Sequence, residues 1–202
     1  MANPKRFALV TLVLALLGSS CSQQADKAKA EERKAAFEEK GQQIVAASFA
    51  ALSAQLQQAL QRGGVPEALS YCHLAAHPLV DSLSKVHSAG IKRTSLRLRN
   101  PANAPTSEEK EALAHFEKAI QNGESLQPYA QLLEGKEVAY YAPIQINALC
   151  LQCHGKVGSD IKTVDAELIA QLYPQDQATG YVDGEWRGIW SIRLSKDALK
   201  QD

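Results

Sequence analysis

The sequence has no excess of charge of either sign: 22 Lys and Arg stand against 22 Asp and Glu in 202 residues. Nothing in that balance selects a polyanion, so nucleic acid is not an expected partner. Long hydrophobic runs are also missing. The longest, Phe7 to Leu17, covers 11 residues with Thr11 the one polar member, well under the roughly 20 that a membrane-spanning helix needs. Methionine occurs once, at position 1, and there is no internal repeat. No pair of carboxylates stands out at a spacing suited to acid–base catalysis, so an enzyme is not expected. Cysteine occurs four times, too rarely for a disulfide-stapled miniprotein. With 45% apolar and 22% charged residues, the chain has enough apolar material for one core and does not read as disordered.

The apolar run at the N-terminus follows Lys5 and Arg6 and ends at Gly18-Ser19-Ser20-Cys21. A basic start, a short apolar stretch and small residues form an export signal over residues 1–20. The cysteine after the small residues makes the segment similar to a bacterial lipoprotein signal. Cys21 is then the lipid-carrying first residue of the mature chain, with plain secretion the alternative. Several acyl chains anchor a protein far more firmly than one. By the habit of such signals, Ser22 rather than Asp after the cysteine directs the protein to the outer membrane. The expected location is the periplasmic side of a bacterial membrane, lipid-anchored, at the outer membrane in preference to the inner.

Residues 21–40 are charged and alanine-rich, a tether that becomes helix, and residues 41–202 form a single domain. From Phe37 the apolar positions Ile44, Val45, Phe49, Leu52, Leu56 and Leu60 keep a helical period until Gly63-Gly64. Pro66 opens a second helix whose stripe includes Leu69, Cys72, Ala76, Leu79 and Leu83, with a kink or fresh start at Pro78. Arg93, Arg97 and Arg99 alternate with Thr94, Leu96 and Leu98, as on a half-buried strand. Ser107 is the expected cap of a helix ending at Asn122-Gly123. Val138–Ile146 reads as a strand that Pro143 confines to an edge or a bulge. Trp186, Gly188, Trp190, Ile192 and Leu194 alternate with polar residues on a last strand. Helices followed by strands, with too few crossovers for a doubly wound sheet, predict an α+β fold with an antiparallel sheet.

Between these strands stands Cys150-Leu151-Gln152-Cys153-His154. C-x-x-C-H is the attachment signature of c-type haem: two thiols reach the two vinyl groups on one porphyrin edge, and the adjacent imidazole becomes the proximal iron ligand. An export signal agrees, because such haem is attached outside the cytoplasm. A thioredoxin-like motif would need the opening turn of a helix in a βαβ unit, which this context does not supply. A zinc site would have to take ligands from adjacent positions whose side chains diverge. A Cys150–Cys153 disulfide would strain its small loop and leave His154 unexplained. Cys72 remains as an unassigned thiol and is a candidate sixth ligand, with His73 beside it as runner-up. His77, His87 and His115 read as solvated helix residues. Ligation by Met is excluded, since Met1 leaves with the signal. Arg93, Arg97 and Arg99 either pair with haem propionates or cover a solvated sheet face.

Tyr71-Cys72-His73, Ile91 to Pro105, Tyr141-Ala142-Pro143-Ile144, Cys150 to Gly155, Tyr173-Pro174, Ala178 to Tyr181 and Trp186 to Ser191 together resemble the Tll-like c-type haem domain family over roughly residues 41–195. The resemblance implies a PAS-like antiparallel sheet flanked by long N-terminal helices and carrying one covalent haem. It also implies His/Cys axial ligation, with Cys72 at the cysteine position. The expected function is redox or small-gas sensing by a membrane-tethered monohaem protein, the alternative being electron transfer between periplasmic partners. No output domain follows before Asp202, so a signal would pass to a separate signalling or redox protein.

Overall fold

A computed structural model describes residues 5–133 and 137–200, and side chains from Gln24 onward apart from Ala25 and Lys200. The expected signal over 1–20 and the lipid-carrying Cys21 fall on residues whose side chains lie outside those described. No described helix is long and apolar enough to cross a membrane.

Helix α1 runs Lys5–Leu74, interrupted where Gly63 (φ −153°, ψ 21°) and Gly64 (φ 67°, ψ −153°) leave helical angles. The segment read as a tether is therefore helical, and its last turns already belong to the domain. Phe37 is 3% exposed, the Arg33 guanidinium donates to the Lys196 carbonyl, and Glu38 accepts from the Ala130 amide. A break at Ala75 separates α1 from α2, Ala76–Val86. The proline expected to cause it lies inside the first turn of α2, where its missing N–H costs least.

The sheet has strands β1 (Gly90–Thr94), β2 (Tyr129–Leu132), β3 (Glu137–Gln145) and β4 (Trp186–Ser195), all antiparallel, in the order β1-β4-β3-β2. Helix α3 (Ser107–Gln121) joins β1 to β2; α4 (Ala148–His154) and α5 (Thr163–Leu172) lie between β3 and β4. The architecture is α+β, as expected, with the long N-terminal helices on one face of the sheet. On that face Phe37, Ile44 and Leu52 of α1 and Val80 of α2 pack against Tyr140, Trp190, Ile192 and Leu194. The opposite face is covered too: Leu113 and Phe116 of α3 meet Tyr141 and Ile189. Strand β4 is thus buried on both faces rather than one.

Three local readings are corrected. Strand β1 ends at Thr94, so Arg97 and Arg99 are not on a strand face. The turn after Thr94 is forced by β4, whose Gly188 has φ 153° and comes so close that a Cβ there would sit 2.3 Å from the Thr94 carbonyl oxygen. Strand β3 is internal, so of the edge and the bulge expected from Pro143 the bulge holds: Pro143 lies beyond the end of β2 and next to the register shift between Ile144 and Gln145. That bulge also shifts the alternation of β4, so Trp186 joins Phe116 on the α3 face instead of following Trp190. Finally, the cap of α3 is Thr106, one residue before Ser107. Its hydroxyl accepts from the Glu109 amide while the Glu109 carboxylate accepts from the Thr106 amide.

Candidate cofactor cavity

Asn147 caps α4, its side-chain oxygen accepting from the amides of Leu149 and Cys150. The cap fixes a two-turn helix in which Cys150 and Cys153, three positions apart, lie on neighbouring positions of one face. Cys150 packs by Ile146, Ala178 and Tyr181; Cys153 packs by Leu69, Ile161 and Ile169. The motif therefore does sit in a helix after a strand, though not in the βαβ unit that thioredoxin-like chemistry wants. The sheet around it is antiparallel, however, and burial pushes the Cys153 thiol up to about 11, away from an activated thiolate. Both thiols are free.

The chain after α4 holds His154 from behind. Gly155 ends the helix where a Cβ would meet Asp160 and the Leu151 carbonyl at 2.5 and 2.7 Å. The His154 and Gly155 carbonyls accept from the amides of Tyr181 and Gly180, and Asp176 orients the Ala178 amide. This places the Ala178 carbonyl 2.7 Å from His154 Nδ1. Arg99 Nη2 is also 3.2 Å from Nδ1, and both atoms cannot be donors there. The shorter contact decides: Nδ1 carries the hydrogen and donates to Ala178, while Arg99 has the Cys153 and Ala178 carbonyls as acceptors. Burial, and then the charges of Arg99 and Arg187, push the imidazole down to about 3. His154 is neutral with its lone pair on Nε2, the state and tautomer of a metal ligand oriented by a carbonyl.

His154, Cys150 and Cys153 line a cavity of about 300 Å³ that also includes Cys72, Arg93, Arg99 and Arg187. Pockets that enclose small molecules run from about 300 to 1,000 Å³. Its other side is apolar, formed by Phe49, Leu52, Leu56 and Leu60 of α1 with Trp190 of β4. The structure brings Cys72 to the cavity wall and leaves His73 outside it, exposed, with its ring edge on Tyr173 at 5.2 Å. Burial pushes the Cys72 thiol up, and the nearby Arg93 and Arg99 charges oppose that. Of the arginines proposed for propionates, Arg93 lines the cavity and Arg97 does not. Arg97 is held by the Gln177 and Thr179 carbonyls, by Glu185 and by the Tyr181 ring 3.9 Å away. Arg187 and His77 line the cavity as well; the first was not singled out in the sequence and the second was read as solvated. Arg187 follows Trp186 at the shifted part of β4, where alternation misleads.

The cavity is cationic. Burial works against the charge on Arg93, Arg99 and Arg187, yet a guanidinium does not give up its proton in a protein. Among the described residues no carboxylate lines the cavity. Asp176, just outside, pairs with Arg99 at 3.2 Å. Arg93 is over the Trp190 ring and Arg187 is near the Tyr181 ring and hydroxyl, and among the described residues neither has an acidic partner within ion-pair distance. The Tyr71 hydroxyl, also on the cavity wall, is buried with no hydrogen-bond partner among the described residues.

The family model described as Tll0287-like matches residues 24–195. The chain belongs to the Tll0287-like family. Among solved structures it is similar to that of the cyanobacterial heme-protein Tll0287, with a TM-score of 0.50, 23% identity, and coverage of 73% of this chain and 92% of that one. At this identity the likeness shows the fold. No curated protein matches. The family's match begins in the segment read as a tether, in keeping with the helix that continues from it into the core.

Proposed function

We propose that this Tll0287-like chain binds one haem c, attached through Cys150 and Cys153, with His154 as proximal ligand and Cys72 as distal ligand. The observation that carries the reading is the composition of the cavity wall. Two thiols on one helical face, a neutral imidazole with a free Nε2, a further thiol and an excess of unpaired guanidinium charge converge there without a carboxylate. A haem supplies what that wall lacks: apolar surface for the α1 side chains and two propionates for the cations, with an iron that changes oxidation state. The similar cyanobacterial structure is of a heme-protein, which agrees.

In this reading each thiol adds its S–H across one vinyl C=C, so a thioether forms and no atom leaves. The Ala178 carbonyl keeps His154 in the tautomer that presents Nε2. Arg93 and Arg187 meet the propionates, the planar fork matching a carboxylate, while Arg99, committed to Asp176, buttresses the loop behind His154. Cys21 tethers the protein by lipid to the periplasmic side of the membrane, and the protein senses redox state or a small gas and reports to a partner protein.

The test is expression in a host with haem-attachment machinery. The intact mass is expected to exceed that of the polypeptide by one haem, and Cys150→Ser/Cys153→Ser is expected to lose it. A bare polypeptide mass in the wild type sinks the reading. Spectra of oxidised and reduced protein with carbon monoxide then separate its two uses: rapid gas binding by the reduced form supports sensing, and an unchanged six-coordinate spectrum supports electron transfer.

A further inference from the structure

Of the five histidines, two line the cavity: His154 and His77. His77 is half-buried. It makes no hydrogen bond, ion pair or ring contact among the described residues, unlike His73 and His115, whose rings pack against tyrosines. An imidazole turned to a cavity with both nitrogens unused has donor capacity that no protein group takes up.

Its relation to Cys72 is set by the backbone. On a continuous helix two residues five positions apart point about 140° away from each other, at 3.6 residues per turn. Cys72 and His77 nevertheless line the same cavity, because α1 ends at Leu74 and α2 begins at Ala76. The joint is weakly tied. Ala75 offers no side-chain cap, and Pro78, lacking an N–H, leaves the Leu74 carbonyl without its helical donor. What remains across it includes the Ala75 amide to the Tyr71 carbonyl at 2.8 Å and the Leu79 amide to the Ala75 carbonyl at 3.1 Å.

We propose that His77 is a second distal donor of this cavity, taking the sixth position of the iron when reduction releases Cys72. The proposal rests on the haem reading above. A one-electron reductant supplies the electron to the iron. Cys72 leaves with the electron pair of its sulfur–iron bond as a thiolate, its charge facing Arg93 and Arg99, and His77 donates a nitrogen lone pair to form the new bond. An anionic thiolate favours the ferric ion and a neutral imidazole suits the less positive ferrous ion, so the exchange follows the oxidation state. Pivoting at Ala75 would carry the change to α2, flanked by Leu74 at the end of α1 and closed by its own Val86, which are 71% and 73% exposed.

The test uses the haem-loaded full chain and compares wild type with Cys72→Ala, His77→Ala and the double variant by absorption, electron paramagnetic resonance and carbon monoxide binding. Cys72→Ala is expected to stay low-spin when ferric, with a bis-imidazole signature in place of the thiolate one, and the double variant to lose it and become high-spin. His77→Ala alone is expected to keep the ferric thiolate spectrum but, after reduction with dithionite, to turn five-coordinate and bind carbon monoxide faster than wild type. High-spin ferric Cys72→Ala, or reduced His77→Ala indistinguishable from reduced wild type, overturns the role of His77 while leaving the haem reading intact. Wild-type protein without covalent haem overturns both. The single His77→Ala comparison holds even if loss of Cys72 prevents folding.

Discussion

Arg93 shows how one residue changes sign with its surroundings. In the haem-free chain its guanidinium faces a cavity with no acidic partner in ion-pair distance among the described residues, and burial works against its charge. A charge partly withdrawn from water without an ionic partner is unfavourable, so Arg93→Leu, which keeps apolar contact with Trp190, is expected to raise haem-free stability in urea by up to about 1 kcal/mol. In the loaded protein the same change is expected to lower the reduction potential. A cation near the iron favours the ferrous state, which carries one positive charge fewer, and a propionate left unneutralised acts in the same direction. Potentiometric titration of both proteins decides it; an equal or higher potential in the variant contradicts the placement of Arg93 beside the propionates. Residue identity made the arginines candidates in the sequence, but it did not say which ones. Arg93 and Arg97 look alike by alternation, and only the end of β1 at Thr94 separates the one that enters the cavity from the one that ties down the 177–181 loop.

At the scale of elements, legibility followed length and period. Strand β4 announces itself by alternation over ten residues, β3 by a run of strand-forming residues, and α3 by its cap and stop signals. Strand β2 has four residues and is held by pairing with β3, so no local signal marks it. Helix α5 likewise had no place in the sequence reading, though it supplies the Ile169 that packs by Cys153. The bulge at Ile144/Gln145 is a tertiary feature, set by the meeting of β3 and β4 at Gly188. It defeated the face assignment of Trp186 and, with it, the detection of Arg187. The cap of α3 was legible to one residue and carries a test. The Thr106 hydroxyl donates to Glu108 and is the largest cause that holds this exposed carboxyl down to about 2. A depressed folded pKa gives stability that is present above the unfolded value, near 4.5, and is lost as pH falls toward 2. Thr106→Ala is expected to cost about 1 kcal/mol at neutral pH through the lost cap and to flatten the loss of stability over that acid window. Urea titrations at several pH values check both; an unchanged acid slope would mean that the hydroxyl does not set the carboxyl's affinity for its proton.

The whole molecule is a sheet with two unlike sides. On one, α3 closes an aromatic core of Phe116, Tyr129, Tyr141 and Trp186, in which burial pushes the Tyr129 and Tyr141 hydroxyls up to about 12. On the other, α1 and α2 pack on the sheet but leave the 300 Å³ cavity where α4 and the arginines meet. If the proposed covalent haem is bound, it forms a wall that α1, α4 and the end of β1 share. Without it the apolar side chains of α1 face empty volume and the cations face each other, so the loss of stability is local. Hydrogen exchange on the Cys150→Ser/Cys153→Ser chain is therefore expected to show weak protection in α4, α5 and the 65–74 part of α1. Amides of α3, of β2 and of β3 before Pro143 keep theirs, because the core of Leu113, Phe116, Ala139, Tyr141 and Ile189 under α3 does not line the cavity. Loaded wild-type protein is expected to protect both sides, since a ligand held only by the folded state stabilises whatever must be folded to hold it. Uniform loss of protection in the variant would show that the two sides unfold as one unit, and that the cavity is part of the core rather than a site built onto it.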